Sequence, residues 1–120
     1  AWAVLAAFFL WGAASHAFGA VQDIVADRRA GIGSLATVLG ARTTVRLSLA
    51  AYVGAGLLLL PVPWPGPLAS LLVLPYLGMV WPYRSVSDRD ARRANHGWRQ
   101  FLWLNYLVGF LVTMLLIWAW

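Results

Sequence analysis

Asp23 and Asp27 stand four residues apart in the run Asp23-Ile-Val-Ala-Asp27-Arg28-Arg29-Ala-Gly31. Four residues of helix advance about 400°, so the two carboxylates would share one face. Like charges at this spacing repel by roughly 0.2–0.5 kcal/mol, a cost that a bound cation removes. A pair of oxygen ligands suits Mg²⁺, which takes one or two carboxylates and fills its remaining positions with water and substrate phosphates. The competing reading of a bare D-x-x-x-D is that both groups face water and pair with Arg28 or Arg29. Context favours chemistry, because the pair closes an apolar run long enough to cross a bilayer. Ionisable groups in or beside such runs are rare and usually functional.

Upstream, Gly12, His16, Gly19, Asp23 and Asp27 step by four, three, four and four residues, and so line one face if the helix is continuous. Small residues on that face either open a groove toward the carboxylates or allow a close helix contact. His16 taken alone reads as a hydrogen-bonded buried residue rather than a metal ligand. Downstream, Gly31-Ile-Gly33-Ser34-Leu-Ala has the look of a dinucleotide fingerprint. That reading fails, because a membrane helix precedes it where a strand is needed and no βαβ unit follows. Gly31 and Gly33 are expected to break the helix, a short helix to run from Ser34 to Leu39 and stop at Gly40, and Thr43 to cap the next span.

These residues are carried by a chain of 120 residues, 62% hydrophobic and 11% charged. Soluble domains are about 25% charged, so this chain lacks the polar surface of a water-soluble globule, and disorder is excluded more firmly still. An integral membrane protein remains. All nine basic residues are Arg and all four acidic residues are Asp, for a net charge of +5. That excess is assigned to membrane topology rather than to nucleic acid. The absence of Cys excludes disulfides and thiolate metal sites. The chain opens at Ala1 inside an apolar run with no basic segment before it, so it reads as part of something longer rather than as a signal peptide.

A hydrocarbon core about 30 Å thick needs about 20 apolar helical residues. Four segments qualify: 1–20, about 45–62, a short one at about 66–82, and 101–120. No ten-residue stretch alternates as a barrel strand must, so the fold class is an all-α membrane bundle. The connections 21–44 and 83–100 hold Arg28, Arg29, Arg42, Arg84, Arg89, Arg92, Arg93 and Arg99, with Arg46 alongside. The 61–67 connection, Pro-Val-Pro-Trp-Pro-Gly-Pro, is uncharged and reads as a tight turn. Alternating helices put both Arg-bearing loops on one side, which the positive-inside rule places in the cytoplasm. Trp2, Trp64, Trp118 and Trp120 then belong to the outer interface, Trp81, Trp98 and Trp103 to the inner one, and Trp11 lies mid-span. Asp88 and Asp90 read as solvated loop charges paired with nearby arginines.

The run from His16 to Gly40 resembles the second aspartate-rich motif of the UbiA prenyltransferase superfamily, D-x-x-x-D-x-x-x-G followed by a small apolar stretch ending in Leu-Gly. The resemblance implies a bundle of about nine transmembrane helices, of which this chain supplies the last four. It implies Mg²⁺ held by two facing aspartate motifs on the cytoplasmic side, a prenyl diphosphate donor, and a lipophilic acceptor reached from membrane lipid. Asp23 and Asp27 match the metal-binding carboxylates, and Arg28 is carried over as a phosphate contact. The first motif, N-D-x-x-D-x-x-x-D, is absent, so the isolated chain is expected to be inactive and to need a missing N-terminal half or a partner that carries it. The segment from Trp98 to Leu115 and the run beginning at His16 are similar to the lycopene elongase branch. That branch adds a five-carbon unit from dimethylallyl diphosphate to lycopene on the way to C50 carotenoids. His16 and Asn105 would be substrate-side residues there, although an interhelical hydrogen bond is the simpler role for Asn105. The alternative for the whole chain is a non-catalytic membrane subunit that completes or stabilises a partner.

Overall fold

The first stretch, α1 (Trp2–Val21), has no charged residue and a face of small side chains. Such a helix can approach a neighbour closely where lipid supplies no hydrophobic drive toward association. The computed structural model describes residues 2–119, and helices α2 (Ile24–Ala30), α3 (Leu35–Leu39), α4 (Ala41–Leu59), α5 (Gly66–Ser70), α6 (Val73–Val80) and α7 (Ala94–Ala119) follow α1 with no strand among them. The all-helical expectation holds. Among the described residues two helices are long and apolar enough to cross a membrane, α1 and the stretch Ala91–Ala119 that contains α7.

The most extensive packing is between α1 and α4. Ala7, Ala14 and Ala17 are buried on α1, with Ala55 and Gly56 on α4. Ser48 Oγ donates to the Ala14 carbonyl at 2.8 Å. Ser15 Oγ donates to the Trp11 carbonyl at 2.8 Å and meets the Tyr52 hydroxyl at 2.7 Å. A serine has one hydroxyl hydrogen, so the Tyr52 hydroxyl is the donor of that second bond. No buried side-chain nitrogen or oxygen lacks a partner among the described residues, as a low-dielectric interior requires. Aromatic rings fill the remaining space: Tyr52 stacks on Tyr76 at 5.3 Å, and Phe101 stacks on Trp98 at 4.6 Å.

Helix directions alternate. The Arg-bearing loops meet at one end, where Arg28 pairs with Asp88 and Arg46 Nε donates to the Arg84 carbonyl at 3.1 Å. At the other end Trp64 packs edge-on against Trp118 at 5.9 Å. Trp98 is not a free interfacial ring, because it is half-buried between α1 and Phe101.

Several boundaries differ from expectation. The 45–62 segment starts earlier, at Ala41, with Gly40 rather than Thr43 at its cap. Thr43 lies inside the helix, because the first free N–H of α4 is taken by the distant Asp88. The 66–82 segment is two short helices, α5 and α6, divided at Leu71 and Leu72. Pro75 has no N–H to donate to the Leu71 carbonyl, so one continuous helix cannot form there. The 101–120 segment starts at Ala94, so Arg99 is within α7. Ala1 and Trp120, the ends of the first and last expected spans, lie outside the described residues.

Candidate functional site

Val21 ends α1, and Ile24 begins α2. The intervening bend is held by Gln22, whose Nε2 donates to the Gly19 carbonyl at 3.1 Å and whose Oε1 accepts from Asn95 Nδ2 at 2.6 Å. The stripe from Gly12 to Asp27 therefore does not run along one continuous helix. Asp23 occupies the N-cap position of α2 but makes no side-chain cap bond. The backbone still joins the two acidic positions by one helical turn, since the Asp27 N–H donates to the Asp23 carbonyl at 2.7 Å. Ile24 anchors α2 beneath them and is fully buried. Gly31, in the left-handed conformation at φ 71°, stops the helix immediately afterwards, as expected.

Among the described residues neither the Asp23 nor the Asp27 carboxylate has a hydrogen-bond or ion-pair partner, and the one salt bridge in the chain joins Arg28 to Asp88. Two accessible carboxylates one turn apart, with no basic group on either, fit the partial, oxygen-only ligand set that Mg²⁺ shares with phosphate. No group of three or more His, Cys, Asp or Glu capable of holding a metal occurs among the described residues. By itself the pair could supply only part of a coordination sphere.

Arg28 is adjacent to Asp27 in sequence, but its guanidinium is engaged elsewhere. Nη1 donates to Asp88 Oδ2 at 2.8 Å and Nη2 to the Thr37 carbonyl at 2.9 Å. Asp88 Oδ1 also accepts from the Ala41 N–H at 2.7 Å. Its partner is thus sixty positions away rather than a neighbouring loop arginine, a contact not expected from the sequence. Sequence spacing could not reveal it, because the contact is made only when the 83–100 loop closes over the start of α4. The Ala41 N–H and then the Arg28 guanidinium hold the Asp88 carboxyl below its ordinary range. The ion pair is about half exposed, which limits its stability contribution to about 0–1 kcal/mol. Asp90, by contrast, accepts only a long bond from Ser87 Oγ.

His16 is exposed and makes no hydrogen bond among the described residues, so the buried, bonded role expected for it is not observed. Asn105 accepts a hydrogen bond from the Tyr76 hydroxyl at 2.8 Å, joining α6 to α7. Both residues border an apolar cavity of about 490 Å³ between α1, α4, α6 and α7, walled by side chains such as Phe8, Trp11 and Val108. Trp11 lies ten positions before Val21, the end of α1, about 15 Å along that helix. The structure therefore keeps Asn105 and the cavity apart from the carboxylate pair.

The sequence profile of the UbiA prenyltransferase family matches residues 1–107. The chain is 55% identical over 119 residues to the C(50) beta-cyclic carotenoids biosynthesis protein LbtBC of Dietzia sp. (strain CQ4), covering 98% of this chain and 28% of that protein. It is 44% identical over 116 residues to a lycopene elongase/hydratase of Corynebacterium glutamicum, covering 97% of this chain and 40% of that protein. A lycopene elongase/hydratase of Haloferax volcanii is 33% identical over 115 residues, 95% of this chain and 36% of that protein. The chain spans about a third of the length of these curated relatives. No solved structure matches it.

Proposed function

The chain belongs to the UbiA prenyltransferase family, and on that premise we propose that it supplies the second aspartate motif of a Mg²⁺-dependent enzyme moving an isoprenyl group from a prenyl diphosphate to a lipophilic acceptor. The relatives' names favour lycopene as acceptor, and the resemblance to the lycopene elongase branch favours dimethylallyl diphosphate as donor. The protein crosses the membrane several times, four times within this chain, with the arginine-rich end and Asp23 and Asp27 on the cytoplasmic side.

The observation that carries this reading is the unpartnered carboxylate pair at the start of α2. Asp23 and Asp27 would hold the metal, and their mutual repulsion is relieved by it. When bound, the ion neutralises the negative charge that gathers on the departing diphosphate. Arg28, fixed beside Asp27, adds positive potential for an anionic donor arriving from the cytoplasm. The apolar cavity below Asn105 keeps water from part of the lipophilic substrate, and the Asn105 amide is its substrate-side polar group. His16 faces outward on α1 and belongs to the approach to the site. Activity needs the first aspartate motif from the rest of the protein or from a partner, so the isolated chain is inactive.

In the full-length protein, Asp23→Asn or Asp27→Asn lowers turnover by at least about a hundredfold at saturating Mg²⁺. Near-normal turnover in either variant overturns the metal-site assignment. Absence of any Mg²⁺-dependent binding of a prenyl diphosphate would instead leave a structural subunit.

A further inference from the structure

We propose that Asp88 is the positioning residue of the carboxylate segment, setting α2 through Arg28 so that Asp27 is presented in a fixed orientation. The inference rests on the metal-site reading above and assigns a role to a residue outside the aspartate motif.

Asp88 divides its two oxygens between different elements. Oδ1 takes the Ala41 N–H at the start of α4, and Oδ2 takes Nη1 of Arg28 on α2. The same guanidinium reaches the Thr37 carbonyl of α3. Arg28 is therefore gripped from two sides, and it immediately follows Asp27. One acidic side chain ties α2, α3, α4 and the 83–100 loop into a single unit at the arginine-rich end.

Helix α2 depends on such ties. It has seven residues, of which only Ile24 is buried. A helix this short does not persist in water by its own hydrogen bonds. Its start is held by Ile24 and by the bond between Gln22 and Asn95. Near its end the Arg28–Asp88 pair is the only side-chain ion pair among the described residues. Release of that pair leaves the Asp27 end of the helix tied only by the Arg28 bond to the Thr37 carbonyl. The pair is half exposed and contributes little to global stability, so its loss is felt as misplacement rather than unfolding. Asp88 touches no substrate or metal in this arrangement and acts through Arg28.

The test uses the full-length protein in detergent, with Mn²⁺ as the metal probe, its binding read from the free-ion spectroscopic signal, and donor KM and kcat measured separately. Asp88→Ala is expected to weaken Mn²⁺ binding about tenfold, the scale seen when residues supporting metal ligands are lost. It also raises donor KM, while the melting temperature moves by only a few degrees. Asp88→Asn, which can still accept from Ala41 but cannot pair with Arg28, shows the same loss. Arg28→Ala matches their loss of Mn²⁺ affinity and raises donor KM further, because its own positive charge goes too, and the Arg28→Ala/Asp88→Ala double variant binds Mn²⁺ no worse than either single one. Unchanged Mn²⁺ affinity and KM in both Asp88 variants, or losses that multiply in the double variant, overturn the proposal. If Asp23→Asn also leaves Mn²⁺ affinity unchanged, the metal-site reading itself fails, and this inference fails with it.

Discussion

The indole of Trp98 on α7 lies over Gly19 on α1 so closely that a Cβ at residue 19 would come within 2.8 Å of it. The relationship is reciprocal one residue away, where the ring of Phe18 lies over Gly97, and a Cβ there would meet Phe18 at 2.9 Å and Tyr83 at 2.6 Å. Two glycines and two rings thus dock α7 onto the end of α1 just before the carboxylates. At Gly19 the small-residue stripe serves packing, whereas at Gly12 nothing lies within 4 Å.

Gly97→Ala should therefore destabilise the protein by about 1–3 kcal/mol through overpacking against two rings. Gly12→Ala has open space and a helical backbone, and should be neutral or stabilising by up to about 1 kcal/mol. Unfolding in mild detergent measures both. Equal losses at the two positions would contradict the packing described here.

The glycines after Asp27 make a second contrast. Gly31 has φ 71°, whereas Gly33 is not in the left-handed region and has no neighbour within 4 Å of a built Cβ. Gly31→Ala is expected to cost about 1–2 kcal/mol, and Gly33→Ala to cost nothing measurable. Amide hydrogen exchange across α2 would show faster opening in the first variant only.

Tyr76→Phe removes the donor to Asn105 and leaves its carbonyl unpaired beside an apolar cavity. The expected loss is about 0.5–1.5 kcal/mol, as for other interhelical bonds in membranes. Adding Asn105→Leu should recover much of it, because no polar group is then left unsatisfied. A double-mutant cycle in detergent gives the coupling directly.

The depressed Asp88 carboxyl sets a pH dependence. Since the unfolded chain binds that proton more readily, the stabilising contribution is complete above the ordinary carboxylate value of 3.8 and is lost as pH falls through the lower folded value. The melting-temperature gap between the native protein and Asp88→Asn should be constant from about pH 7 to about pH 5 and close below about pH 4. A gap independent of pH would mean that shape, not charge, is what Asp88 contributes.

Much of this was legible from residue types alone. An excess of apolar residues with charges confined to two loops dictates membrane helices, since lipid offers the backbone no other partner. The D-x-x-x-D spacing, the stop at Gly31 and the short helix ending before Gly40 are local, because a helical turn and its termination involve only residues within about four positions. Ser34 and Thr37 form the capping box at the start of α3. The family was readable from the same run, since its motif is itself a local pattern.

What only the tertiary structure decided is where the long-range partners lie. Asp88 looks like a solvated charge in sequence, yet it caps α4 and grips Arg28. His16 looks like a candidate for burial, yet it faces outward, and Asn105 belongs to a cavity far from the carboxylates. Thr43 looks like a cap, yet the helix starts at Ala41, whose N–H is taken by an acceptor forty-seven positions away. Local propensity fixes which backbone groups need partners. Loop closure and helix packing choose those partners, and that choice depends on the whole bundle rather than on any one segment.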